Sequence, residues 1–392
     1  KKRLLSMATD FMMADFPQRI NHVDELNKIF LHMEFHKGSD VFLQGGAPVC
    51  MSWNGRKVMI TKRKLQTKEV IGIITMMYGE NAESRLNSAE RIDTAHEFKV
   101  ITGEDKNGDE EYERFRYRVN CVSSSRDGRS LTITVRSIPT TPKNAYEMGI
   151  EQEIIDVFMK TEQGLAAIVG ATGNGKSTTL AALIRTMQEA EEAHRNLVTI
   201  ESPIEFVHDG YYMPCSIFTQ MEVGSHIKAF SEGVENAMRM APTTILVGET
   251  RDYGTITASV EASVTGHFVM TTMHANSVDE TFQRALALYP ESMQHQAQLN
   301  IVSSMKIVVA QRLLRTVQGG RTAIRSFLVL DQQIKDELYR SKNLGATAFS
   351  LVERHGKPMM DDVEAKYKEG LLSQEVYESQ KFNYGMVREQ YK

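Results

Sequence analysis

One octapeptide constrains this chain more than any other feature. Residues Gly170-Ala171-Thr172-Gly173-Asn174-Gly175-Lys176-Ser177 match the pattern G-x-x-x-x-G-K-[ST]. The pattern is a demand on the backbone, since successive N–H groups can turn toward one anion only where no Cβ obstructs them. Lys176 then places a mobile cation on the outer phosphates, Ser177 offers a hydroxyl to Mg²⁺, and Thr178 follows it at the start of a helix. That helix aims its partly positive N-terminus at the anion. The flanking residues suit the mechanism. Residues 165–169 form an apolar strand, and Leu180, Leu183, Ile184 and Met187 recur on one helical face. The ligand this predicts is ATP with Mg²⁺.

A buried strand feeding a helix implies a layered α/β core. Apolar strand candidates at 165–169, 197–200, 245–247 and 268–270 alternate with helical patterns, the signature of a parallel sheet flanked by helices. Ser277 and Glu280 have capping-box spacing for one helix. The last sixty or so residues read as polar and helical, with Gly370 as a stop. Ahead of this core, Leu26, Ile29, Phe30 and Met33 give an amphipathic helix over 24–36, and strands are expected at 40–43, 57–60, 115–119 and 131–135, with a solvated turn over 103–111. Pro139 and Pro142 flank two threonines, an extended linker. The 392 residues therefore divide into an N-terminal α/β domain over 1–138 with a polar leader, a linker over 139–144, an ATPase domain over 145–330 and a C-terminal helical region over 331–392.

Three further constellations follow the phosphate loop. The run 243–249 is an apolar strand ending in Glu249, a position for binding Mg²⁺ or its waters at the sheet's carboxyl edge. Glu201 and Glu205 lie just past another strand, where one could orient or deprotonate an attacking water. His267 and His274 bracket a third strand and are expected at the same crevice, able to hydrogen-bond a γ-phosphate. Each of these side chains could instead be a solvated acid or a structural histidine.

Composition excludes other classes. A net charge of −4 argues against direct nucleic-acid binding, which needs a basic surface. Cys50, Cys121 and Cys215 are too few and too dispersed for a disulfide framework or zinc site, which fits a reducing, cytoplasmic setting. The sequence contains neither a transmembrane run nor a signal-peptide core after Lys1-Lys2-Arg3, so any membrane contact is expected to be peripheral.

Taken together, these segments resemble the secretion and type IV pilus ATPase superfamily, the PilT-like motors. GATGNGKSTT is similar to its Walker A motif, TIESPIEF to its aspartate box, ILVGETRD to its Walker B and TGHFVMTTMHAN to its histidine box. GSDVFLQGGAPV, ERIDTAHEF, RFRYRVN and AQRLLRTVQGGRTA extend the likeness in family order from about Gly38 to Ala323. RYRVN, the IPTTP linker and the added C-terminal helices most resemble the DotB/TraJ group of Dot/Icm-type (type IVB) secretion and conjugation ATPases. Ser202 stands where the wider family carries aspartate, which shifts the expected catalytic role toward Glu205.

The resemblance implies a PAS-like N-terminal domain joined to a RecA-like ATPase domain in a homohexamer, docked on secretion or conjugation machinery at the inner membrane. It also implies that N-terminal-domain arginines complete the nucleotide site. Arg116, Arg118 and Arg136 match the arginine-bearing strands, and Arg114, Arg116 and Arg118 fall two apart on one strand face. A guanidinium there would stabilise charge spreading over the γ-phosphoryl oxygens. Other readings are a pilus-retraction motor, a nucleotide-gated docking scaffold and a small-molecule kinase. The N-terminal domain and histidine box speak against the last.

Overall fold

The computed structural model describes residues 11–104, 108, 110–125, 129–138, 141–209 and 211–391. The expected leader at 1–10 and linker residues Pro139 and Thr140 lie outside these. The chain divides into two compact units, residues 1–140 and 141–392.

The first unit opens on α1 (Val23–Phe35), whose Leu26, Ile29, Phe30 and Met33 are fully buried, as their spacing predicts. Its sheet comprises β1 (Asp40–Gln44), β2 (Pro48–Trp53), β3 (Arg56–Lys64), β4 (Ile92–Glu104), β5 (Glu110–Ser125) and β6 (Arg129–Ile138) in the order β3-β2-β1-β6-β5-β4, antiparallel throughout. Helices α2 (Thr67–Tyr78) and α3 (Ala82–Asn87) join α1 over one face. Strand alternation sends Val41, Val135 and Val119 into that core, and their neighbours Asp40, Arg136 and Arg118 to the opposite face. The expected turn over 103–111 is shorter than its polarity implied. Gly103 pairs with Glu111 and Glu104 with Glu110, because an antiparallel neighbour supplies backbone partners whatever the side chains. Residues 105–107 and 109 of that turn lie outside the described residues.

The second unit is built on a seven-stranded sheet. After α4 (Gln152–Lys160) come β7 (Gly164–Val169), α5 (Lys176–Glu189), β8 (Asn196–Glu201), β9 (Ile217–Glu222), α6 (Phe230–Ala237), β10 (Thr244–Val247), α7 (Tyr253–Val264), β11 (Phe268–Met273), α8 (Val278–Ala287), α9 (Gln294–Ser304), β12 (Met305–Arg315) and β13 (Arg321–Val329). The order is β13-β12-β7-β11-β10-β8-β9, with β13 alone antiparallel to its neighbour. All six residues of β7 and of β11 are buried, as expected of parallel strands covered on both faces. Ala166, Ile168 and Phe268 pack beneath α4 and α5 on one side, while Leu165, Ala167 and Val169 face α6 to α9 on the other.

Four helices close the chain: α10 (Gln332–Arg340), α11 (Leu344–His355), α12 (Met359–Lys368) and α13 (Gln374–Gln390). The first two are more than a polar appendage. Ile334, Leu338, Ala348 and Leu351 join the main core. Gly370 ends α12 at φ 74°, a left-handed conformation suited to glycine. Ser277 caps α8 by accepting the Glu280 N–H, whereas the Glu280 carboxylate accepts from Asn276 N–H.

Candidate functional site

The phosphate loop leaves β7 at the carboxyl edge of the sheet and turns directly into α5. Gly170 has φ 156°, and a Cβ placed on it would stand 2.4 Å from the Gln311 carbonyl oxygen of the adjacent strand, so no larger residue fits. Gly175 caps α5 in the left-handed region at φ 75°. The Lys176 ammonium donates to the carbonyls of Gly170 (2.8 Å) and Ala171 (3.3 Å), which holds it across the loop's mouth. Burial lowers its pKa, and the negative charges of Glu249 and Glu205 oppose that shift.

Glu249 and Glu201 arrive by different strands, and Glu205 follows Glu201 past the end of β8. Glu249 follows Gly248 at the end of β10 and receives His274 Nε2 at 3.1 Å from the end of β11, with Arg251 at 3.9 Å. The two strand ends are stapled, because Thr272 Oγ1 donates to Gly248 O (2.6 Å) and Thr250 N–H to Thr272 O (2.9 Å). Glu201 ends β8. It is half-buried as a residue, yet its carboxylate is desolvated enough to raise its pKa to about 7, despite donation from Thr199 Oγ1 (2.7 Å), Gln220 Nε2 (3.1 Å) and the Glu205 backbone.

The expected histidine pair is not brought together. His274 reaches the carboxyl edge, but His267 precedes Phe268 at the amino end of β11, where Nδ1 meets Ala262 O at 3.0 Å. Parallel pairing fixes this: Phe268 sits beside Gly164 and Met273 beside Val169, so the strand's six residues, about 3.3 Å each, separate the two imidazoles.

The three arginines belong to the first unit and share its helix-free face. Arg118 stands opposite Arg136 across β5 and β6. Each has a carboxylate partner. Arg116 is buried against Glu97 (2.9 Å), Arg118 grips Asp93 with two nitrogens (3.1 and 2.6 Å), and the exposed Arg136 meets Asp40 at 2.7 Å.

Two glutamines at the site escaped the sequence reading. Gln220 on β9 receives the His208 N–H (3.0 Å) and donates to Phe206 O (2.9 Å), so it holds both sides of the segment that follows Glu205. Gln311 on β12 donates to the Asn174 carbonyl at 2.7 Å. The available signal was a polar residue inside the apolar run Ile307-Val308-Val309-Ala310-Gln311.

A parallel sheet that gathers a lysine-bearing glycine loop and two carboxylates at one edge defines a P-loop nucleotide hydrolase with a RecA-like core. The comparisons with known proteins agree. The family model described as Type II/IV secretion system protein matches residues 112–357, and the chain belongs to that family. It is 33% identical over 310 residues to the type IV pilus ATPase PilU of Pseudomonas aeruginosa, spanning 78% of this chain and 74% of that protein. It is 29% identical over 341 residues to the pilus retraction ATPase PilT of the same organism, spanning 86% and 92%. The structure of the Legionella pneumophila ATPase DotB matches with a TM-score of 0.86 at 34% identity, over 95% of this chain and 99% of that one. That of the PilT motor with bound ADP matches with a TM-score of 0.75 at 26% identity, over 89% and 95%. The protein is thus an ATP hydrolase, a PilT-like secretion ATPase of the DotB kind. Its architecture is a PAS-like N-terminal α/β domain joined to a RecA-like P-loop ATPase domain with added C-terminal helices.

Proposed function

We propose that this chain forms a homohexamer that couples ATP hydrolysis to assembly or substrate passage by a type IVB secretion or conjugative transfer machine, docked from the cytoplasm at the inner membrane. Gly170 to Thr178 hold the nucleotide, with Lys176 on the outer phosphates. The hard oxygen donors of Ser177 and Glu249 suit Mg²⁺, which would supply charge neutralisation at the phosphates. Glu205 orients or deprotonates the attacking water, Glu201 holds the loop that carries it, and His274 orients Glu249. Arg116, Arg118 and Arg136, in the N-terminal domain that spans 1–138, are the guanidinium groups that the family resemblance assigns to the nucleotide in the assembled hexamer. Residues 139–144 link that domain to the ATPase domain over 145–330 and the helical region over 331–392. His267 takes no part in this scheme. Direct contact with nucleic acid is not expected at a net charge of −4. No helix among the described residues is long and apolar enough to cross a membrane.

The observation that carries this reading is the gathering of the Lys176 loop, Glu201 and Glu249 at the carboxyl ends of β7, β8 and β10, in a fold that matches DotB over 95% of the chain. The likeness to PilU favours a second reading, a motor for pilus retraction. Affinity capture from the native cell, in ATP and then in ADP, separates the two. Co-purification of secretion or conjugation components in a nucleotide-dependent manner supports the first. Pilus-assembly components support the second, and capture indifferent to nucleotide contradicts both.

A further inference from the structure

The overhang of β12 beside the phosphate loop carries an inference about nucleotide affinity. β12 has eleven residues and β7 six, and their pairing ends at Ala310 opposite Val169. Gln311 is therefore the first residue beyond the pairing and lies against the loop itself. It is 3% exposed and makes three side-chain hydrogen bonds. Oε1 accepts from Thr179 Oγ1 in the first turn of α5 (2.8 Å) and from Arg325 Nε (2.8 Å). Nε2 donates to Asn174 O (2.7 Å). The orientation of the amide is forced, because a guanidinium only donates and a carbonyl only accepts. Two strand residues on, the Leu313 N–H donates to Asn174 Oδ1 at 3.2 Å.

Arg325 is fixed in turn. It stands opposite Gln311 in the β12–β13 ladder and is 3% exposed. Its guanidinium meets Glu151 at the start of α4 (3.1 Å), and its backbone N–H donates to Asp362 on α12 (2.8 Å). Lys357 closes the ring, meeting Glu151 at 2.9 Å and Asp362 at 3.0 Å. Two cations and two anions satisfy one another, so Arg325 has no second arrangement available without leaving a buried charge unpaired.

We infer that Gln311 is a positioning residue for nucleotide binding, which holds the Asn174 peptide so that the loop's N–H groups stay turned into the phosphate cradle. It acts through the loop and touches no reacting atom. This rests on the reading of residues 170–178 as the phosphate site.

The test uses Gln311→Glu in the full-length chain. The substitution is isosteric and keeps an acceptor for Thr179 and Arg325, but it sets a second oxygen against the Asn174 carbonyl. Steady-state ATP hydrolysis should show KM raised about tenfold, equivalent to about 1.4 kcal/mol, with kcat within about threefold of wild type. Gln311→Met removes the donor to Asn174 together with the acceptor for Thr179 and Arg325, adds no charge, and should shift KM in the same direction. Cooperative thermal unfolding confirms that each variant is folded. Unchanged KM in a folded variant, or a fall in kcat alone, overturns the inference, as does loss of cooperative unfolding in both variants, which assigns Gln311 to packing. Lys176→Ala is run in parallel. If that variant hydrolyses ATP normally, the phosphate-site reading fails; if it is inactive while Gln311→Glu binds ATP normally, only the positioning role fails.

Discussion

Replacing Glu201 by glutamine should make the protein more stable as pH rises, relative to wild type. Desolvation at the end of β8 raises the Glu201 carboxyl from 4.5 to about 7, so in this interval the folded chain binds a proton that the unfolded chain has released. Stability then falls with increasing pH, and the loss is complete above about 7. The shift corresponds to roughly 3 kcal/mol at pH 8, an upper value for a residue that retains some exposure. Glutamine cannot ionise and escapes this loss. Its amide keeps an acceptor for Thr199 and Gln220 but surrenders one that the Glu205 backbone uses, a penalty of about 1 kcal/mol that is the same at every pH. The readout is therefore the difference between variant and wild type across pH. Urea unfolding of both proteins at intervals from pH 5 to pH 8.5 should show the difference turning in the variant's favour by about 2–3 kcal/mol. A difference that stays flat over that range refutes a desolvated, late-titrating carboxyl at this position. A carboxylate kept at such a cost to stability also points to use at the site.

Glu205→Gln should retain ATP affinity and lose turnover by roughly 10²-fold, measured as kcat beside a nucleotide-binding titration; unchanged turnover removes Glu205 from the mechanism. Gly170→Ala drives a Cβ to 2.4 Å from Gln311 O at a φ of 156°, and should cost about 3 kcal/mol, lowering the melting temperature by about 5–10 °C in calorimetry. Gln220→Met removes the bonds to Phe206 and His208 beside the Glu205 segment, so steady-state kinetics should show kcat down about tenfold with KM within about twofold.

Much of this site was legible because its parts are local. An apolar strand, a glycine turn and an amphipathic helix follow one another without a break, so the phosphate loop needs no long-range information. The helix face of Leu180, Leu183, Ile184 and Met187 is buried as its spacing requires. Glu249 and His274 could be placed for a similar reason, since the carboxyl ends of parallel strands share one edge. The same rule, applied without the strand's direction, misplaced His267. The C-terminal helices were read as polar because most of their residues are, yet Ile334, Leu338, Ala348 and Leu351 make a narrow stripe that suffices to dock α10 and α11 on the core.

By itself, the sequence determined the glycine turn between an apolar strand and a helix, the α/β alternation around it and the acids at the strand ends, because each depends on contacts among residues near in the chain or on strand direction. Only the tertiary structure decided which strand lies beside β7 and how far it overhangs. That pairing joins residues more than a hundred positions apart, brings Gln311 onto Asn174, and links it through Arg325 to Glu151, Lys357 and Asp362. No local pattern encodes such partners, since a lone glutamine in an apolar strand shows that a polar contact is needed and not which group provides it.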